Sequence, residues 1–150
     1  MKSYIGDIPN THIRDFQRKR VYQAEENCSF WNELNILSLE DTIHTIERIS
    51  ETFKVVTPTI EVGDKIDAPT AYATSSLIVL PFPITKSLPF ICHEMSHVIN
   101  YQIGPADHHG PNFATAYLEV IKTFMGNAEF LELESSFKKY SVNYKEVTTI

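Results

Sequence analysis

The sequence predicts an α+β fold in a single domain spanning 1–150, with a small sheet of short strands packed on helices. Three observations predict it. Apolar residues recur at helical spacing in five segments, two early in the chain and three late. Between them, residues 59–80 change to β-forming residues bounded by Pro58, Gly63 and Pro81. Strands grouped with strands and helices with helices indicate separate layers, not the alternating units of a doubly wound parallel sheet.

Each element follows from its residues. Residues 1–10 read as a loose entry containing glycine and proline. Over 12–26, Ile13, Phe16, Arg20, Val21 and Ala24 fall on one helical stripe, with Thr11 or Asn10 as N-cap and a charged face opposite. Ser38-Leu39-Glu40-Asp41 resembles a capping box and opens a helix over 38–53, in which Leu39, Ile43, Ile46 and Phe53 keep a helical spacing. Thr59–Val62 is a short strand. Tyr72–Leu80 is one bent strand or a hairpin, and Pro81 and Pro83 just beyond it place it at a sheet edge. Residues 86–101 return to helical period, with Leu88, Ile91, Cys92, Met95, Val98 and Ile99 as the apolar stripe. The segment 102–111 is a loop by its glycine and proline content. Asn112 caps the next helix, whose Phe113, Ala116, Tyr117, Val120, Ile121 and Phe124 face a core, and Gly126 stops it. A last helix over 128–140 carries Phe130, Leu133 and Phe137, and 141–150 reads as a loose polar terminus.

Composition excludes several classes of function. A chain of 150 residues with 43% hydrophobic and 21% charged side chains is an ordinary globular mixture. A domain of that size buries about 70% of its unfolded surface. The net charge of −6 argues against a protein that grips phosphate backbones, so no nucleic-acid partner is expected. Cys28 and Cys92 are too few for a disulfide framework, which favours a reducing compartment. The N-terminal residues lack an apolar signal region, and the longest apolar stretch, Leu77–Phe82, is far too short for a membrane span. A cytoplasmic protein without a membrane partner is the expectation.

The six histidines are unevenly placed, four of them between residues 93 and 109. His93-Glu94-Met95-Ser96-His97 is an HExxH motif in a helical segment. Residues four apart project from one helix face, so both imidazoles can reach one Zn2+ ion. Glu94 sits to the side, where it can hold a water and take its proton. The apolar stripe of this helix lies on a different side from His93 and His97. A catalytic zinc needs a third protein ligand, and the candidates are His109, His108 and Asp107, in that order. Eleven residues separate His97 from His109, enough to turn the chain at Gly104-Pro105 and return, and His109 lies just before a helix start.

Other residues have blander readings. Cys92 falls on the apolar stripe and reads as a buried thiol. His44 reads as a surface or helix-packing residue, His12 has no assigned role, and Trp31 anchors the loop after the first helix. Arg18-Lys19-Arg20 reads as a solvated face or an internal ion-pair partner. Tyr101, Tyr117 and Tyr72 are candidate donors to a developing oxyanion, with His108 as a fourth if it is not a ligand. Each tyrosine reads more readily as packing.

The segments CHEMSHVIN and HHGPNF resemble the active-site region of zincin-like metallopeptidases, in the SprT-like or minimal-gluzincin style. The similarity is closer to a small family of phage and bacterial proteins described as HExxH metallohydrolases. Arg14–Arg18 with Val21–Glu25 is similar to that family's N-terminal helix. The resemblance covers most of 12–125, and its specific part is 93–113. It implies a zincin-like fold, His93, His97 and His109 as zinc ligands, and Glu94 as general base. It also implies that Ser76–Leu80 is a strand near the cleft whose edge could hold an extended peptide. The chain departs from the DNA-associated SprT-like proteases in lacking a cysteine zinc ribbon and in being acidic.

The expected function is therefore zinc-dependent hydrolysis of a peptide or protein substrate. The alternatives are a non-catalytic metal-binding scaffold of zincin-like form, and a phage accessory protein that binds a host partner.

Overall fold

In the computed structural model of the chain, residues 15–32, 36–62, 71–80 and 86–147 are described. The order is α1 (Arg18–Glu26), a 3-10 turn (Ser29–Asn32), β1 (Ile36–Leu37), α2 (Leu39–Phe53), β2 (Thr59–Val62), β3 (Tyr72–Ala73), β4 (Leu77–Leu80), β5 (Lys86–Ser87), α3 (Leu88–Ile103), α4 (Pro111–Phe124) and α5 (Asn127–Lys139). The architecture is α+β.

α2 is the element its sequence describes best. Ser38 caps it, its hydroxyl accepting the Asp41 N–H at 3.0 Å. Glu40 and Asp41 place acidic groups in the first turn, where the helix dipole favours them. Ile46 and Ile49 are buried, and the helix ends on Lys54 in the left-handed conformation.

α1 is shorter than the predicted helix over 12–26. It starts at Arg18 behind Gln17, and Phe16 is 70% exposed, so that residue leaves the predicted stripe. The reason is tertiary: the Gln17 side chain is committed to the chain's far end, donating to Asn143 O at 3.0 Å and accepting the Asn143 N–H at 3.0 Å. Asn10, Thr11, His12 and Ile13 lie outside the described residues, as do 1–10 as a whole. The terminus read as loose from 141 onward is in part packed. Val142 is buried, and the Lys145 N–H donates to Thr115 Oγ1 at 2.8 Å.

The larger sheet has the order β2-β4-β3. β2 runs parallel to β4, pairing Thr59 with Leu77 and Val62 with Leu80, and β3 runs antiparallel, pairing Tyr72 with Val79. Tyr72–Leu80 is thus a hairpin, and its second strand is central. The edge placement drawn from Pro81 and Pro83 does not hold, nor does the expectation that Ser76–Leu80 offers a free edge to a peptide. β4 ends at Leu80, before either proline, so each of its four residues keeps a backbone donor. β1 and β5, which hydropathy did not signal, form a two-residue ladder, Ile36 to Ser87 and Leu37 to Lys86.

α3 is the central helix. It packs against α2, α4, β3 and β5, and α4 in turn packs on α5, which holds α1. Ten of its 16 residues are buried: Pro89, Ile91–Ser96 and Val98–Asn100. Burial is not confined to the apolar stripe: on the side that carries the motif, His93 and Glu94 are buried too. α4 begins two residues earlier than predicted, with Pro111 at the first helical position and Gly110 rather than Asn112 as cap. Phe130, Leu133 and Phe137 of α5 join Tyr117, Ile46 and Ile78 in one continuous core. Among the described residues no helix is long and apolar enough to cross a membrane.

Candidate metal centre

His93 and His97 project from the same side of α3, one turn apart, with ring centroids 5.1 Å from each other. The third ring arrives from the loop before α4. His109 lies 4.6 Å from the His97 ring and 5.5 Å from the His93 ring, centroid to centroid. One donor nitrogen from each of the three lies within 4.8 Å of the others, so together they could hold a metal ion. Phe113 on the first turn of α4 forms the floor, stacked on His97 at 4.4 Å and edge-on to His93 and His109 at 5.1 and 4.9 Å.

The loop that returns His109 is built by specific residues. Gly104 ends α3 at φ 61 and ψ 175, a conformation nearly closed to other residues. Asp107 then ties the loop to both helices. Its Oδ1 accepts from Asn100 Nδ2 at 3.0 Å and from the Phe113 N–H at 3.1 Å, and its Oδ2 accepts the Asn112 N–H at 2.8 Å. Asp107 is therefore the anchor of the α4 N-terminus, not a member of the metal cluster. Gly110 lets it fit: a Cβ there would lie 2.7 Å from Asp107 Cγ. His108 has φ 60 and is buried, within electrostatic reach of Asp15, His97 and His109, but it stands outside the cluster.

Each of two ligand candidates is held from behind by a carboxylate. Glu25 Oε2 is hydrogen-bonded to His93 Nδ1 and accepts the Tyr117 hydroxyl at 2.7 Å. Asp15 Oδ2 is 2.9 Å from His109 Nδ1, and its Oδ1 accepts the His109 N–H at 3.2 Å. An ionised carboxylate only accepts, so both Nδ1 atoms carry a proton, and in the neutral ring Nε2 is left with a lone pair. His109 Nε2 is buried and has no hydrogen-bond partner among the described residues. A buried imidazole nitrogen of this kind is costly unless something occupies it, and a cation beside two other imidazoles fits.

The electrostatics agree for two of the three rings. Burial, reinforced by the charges of neighbouring histidines, holds His97 and His109 well below the usual histidine pKa, in the neutral form that ligates. Burial acts the same way on His93, but the charge and hydrogen bond of Glu25, with Glu94, outweigh it and raise its pKa. Glu94 is buried and lies within electrostatic reach of His93 and Tyr22.

The remaining candidates separate. Tyr117 spends its hydroxyl on Glu25, which removes it as an oxyanion donor. Tyr101 lies 6.4 Å from the His97 ring, and Tyr72 is half-buried in β3. Cys92 is fully buried, and burial pushes its thiol well above the usual range, so it is inert packing. Burial pushes the Cys28 thiol up to about 12, with the same consequence. His44 is exposed, its Nδ1 3.6 Å from Glu47 Oε1. Trp31 approaches the centre itself, 6.2 Å from the His93 ring. Of the basic run, Arg18 and Lys19 are exposed, while Arg20 donates to Ser141 O at 3.0 Å and helps hold the C-terminal segment.

Sequence reasoning missed three residues of the centre: Asp15, Tyr22 and Glu25. The Tyr22 ring is 5.2 Å from His109 and 6.2 Å from His93. A signal was present, because Asp15, Arg18, Tyr22 and Glu25 follow a spacing of three, four and three. That is a helical stripe, but a polar one, and hydrophobic periodicity passes over it.

No protein-family model matches the chain, and no curated protein or solved structure matches it either.

Proposed function

We propose that the chain is a zinc-dependent hydrolase of zincin-like type, acting on peptide bonds. The observation that carries this reading is the buried, unpartnered Nε2 of His109 beside His93 and His97, with Glu94 buried next to the trio. Imidazole nitrogens suit zinc, and three protein ligands that leave a position open are the pattern of a catalytic rather than a structural site. A zinc ion held there supplies Lewis acidity at the substrate carbonyl and lowers the pKa of water to about 7.

The protein's own contribution is orientation and proton transfer. His93, His97 and His109 hold the ion. Glu94 takes the proton of the attacking water as its oxygen bonds to the carbonyl carbon. When the C–N bond breaks, Glu94 delivers that proton to the leaving amine nitrogen. The Phe113, Tyr22 and Trp31 rings pack against His93 and His109 and limit water around the histidines.

The test is Glu94→Gln, assayed for zinc content and for hydrolysis of a mixed peptide library beside the unaltered protein. Zinc retained at about one per chain with hydrolysis reduced by a hundredfold or more is expected. Undiminished hydrolysis in a zinc-loaded variant overturns the role of Glu94. Zinc in the unaltered protein with no turnover on any peptide overturns the enzyme reading in favour of a metal-binding scaffold.

A further inference from the structure

The HExxH helix does not by itself orient the rings of the centre: His93 and His109 are held from outside it. The groups that do so come from α1 and the three residues before it, 68 and 94 positions away in the chain from the rings they hold. We propose that Glu25 and Asp15 are positioning residues of the metal centre, each fixing one imidazole with its Nδ1 protonated so that Nε2 faces the ion. This rests on the metal-binding part of the preceding reading and not on peptide hydrolysis.

Two features carry it. The first is the completeness of each attachment. Asp15 holds the His109 ring through Nδ1 and also its backbone N–H, so the ring can neither flip nor swing about its backbone without losing a hydrogen bond. Glu25 is held in turn by the Tyr117 hydroxyl, so α1, α3 and α4 meet at one carboxylate that is 2% exposed. Such outer contacts set ring orientation and raise the basicity of a ligating imidazole.

The second is charge. Glu25 and Asp15 each sit at hydrogen-bond distance behind one imidazole, and Glu94 is buried beside the same cluster. Arg18, on the same α1 stripe, is a cation within electrostatic reach but is exposed. Carboxylates drawn into a protein interior are costly unless a cation offsets them. A divalent cation at the Nε2 atoms offsets them without displacing any hydrogen bond described here. By reciprocity, what α1 contributes to ion binding, the ion returns to the docking of α1.

The experiment is competition for Zn2+ against a chromophoric chelator, with the Co2+ absorption spectrum as second readout, on the full chain and on Glu25→Gln, Glu25→Ala and Asp15→Asn. Thermal unfolding of each metal-free form serves as the control for a purely structural role. We expect zinc affinity to fall by about tenfold to a hundredfold in Asp15→Asn and Glu25→Ala, with an altered Co2+ spectrum. Glu25→Gln, which keeps an acceptor but loses the charge, should fall between Glu25→Ala and the unaltered protein. Hydrogen exchange over 18–26 should quicken when zinc is removed from the unaltered protein, and respond less in Glu25→Ala. If Glu25→Ala does not fold, Asp15→Asn, whose site is more open to solvent, carries the test alone. Wild-type affinity and spectrum in the folded variants overturn the positioning roles while leaving the metal site standing. Failure of the unaltered protein to bind zinc or cobalt overturns both.

Discussion

Two interiors share this small fold and obey different rules. One is apolar, filled by Ile46, Ile78, Ile91, Met95, Leu118, Leu133 and Phe137. The other is polar, built from Glu25, His93, Glu94, His108 and His109, all 6% exposed or less. Apolar burial is non-directional, so the first interior asks chiefly for volume and pattern. The second asks for a named partner at hydrogen-bond distance, and an unpartnered group there costs more than the contact itself contributes. Stability is therefore expected to depend mostly on the first interior and ion binding on the second.

The sharpest way to break that division is at the third ligand. His109→Ala should reduce bound zinc from about one per chain to near zero, while His108→Ala retains it, as measured by metal analysis of the purified proteins. Equal zinc in both variants removes His109 from the site.

The converse variant is Phe137→Ala, in the apolar interior. It should cost about 3–5 kcal/mol in chemical denaturation, yet the folded fraction should bind zinc with unchanged affinity. A large loss of affinity there would mean that the two interiors are one cooperative unit.

A third, smaller effect comes from pH. His97 and His109 have folded-state pKa values depressed from 6.5, so both states are neutral above that value. Below it the unfolded chain takes up protons that the folded chain refuses. The stability of the metal-free protein should thus be fully present above pH 6.5 and decline as pH falls beneath it. Zinc affinity should decline over the same range, because the ligands must be deprotonated. His93, with its raised pKa, opposes this through stability retained below pH 6.5 and lost as pH rises through its folded value. Removing its partner in Glu25→Gln should steepen the acid loss. A flat profile between pH 5 and 7 contradicts the assignment.

The smallest effect belongs to the locally encoded part. Ser38→Ala should lower stability by about 1 kcal/mol through loss of the α2 cap, with zinc binding unchanged.

Legibility follows the same division. The capped α2, the strand at 59–62, and the burial of Phe130, Leu133 and Phe137 were readable because each depends on neighbours a few residues away. α1 was misjudged at its start because Gln17 bonds to Asn143 across the fold, and β4 was misplaced because prolines beyond a strand say little about its partners. Asp107 is a candidate ligand in sequence alone, since a carboxylate near histidines looks the same whether it binds an ion or caps a helix.

By itself the sequence determined the pairing of His93 with His97, for helix geometry places residues four apart on one side wherever the helix packs. It also determined the α+β class, through where the period changes. Only the tertiary structure decided that His109 rather than Asp107 meets that pair, that Asp15 and Glu25 hold two of the rings, and that α3 is buried on both its apolar and its polar side. Those outcomes join residues as far as 94 positions apart, and the relative placement of packed helices, not any local spacing, sets such distances.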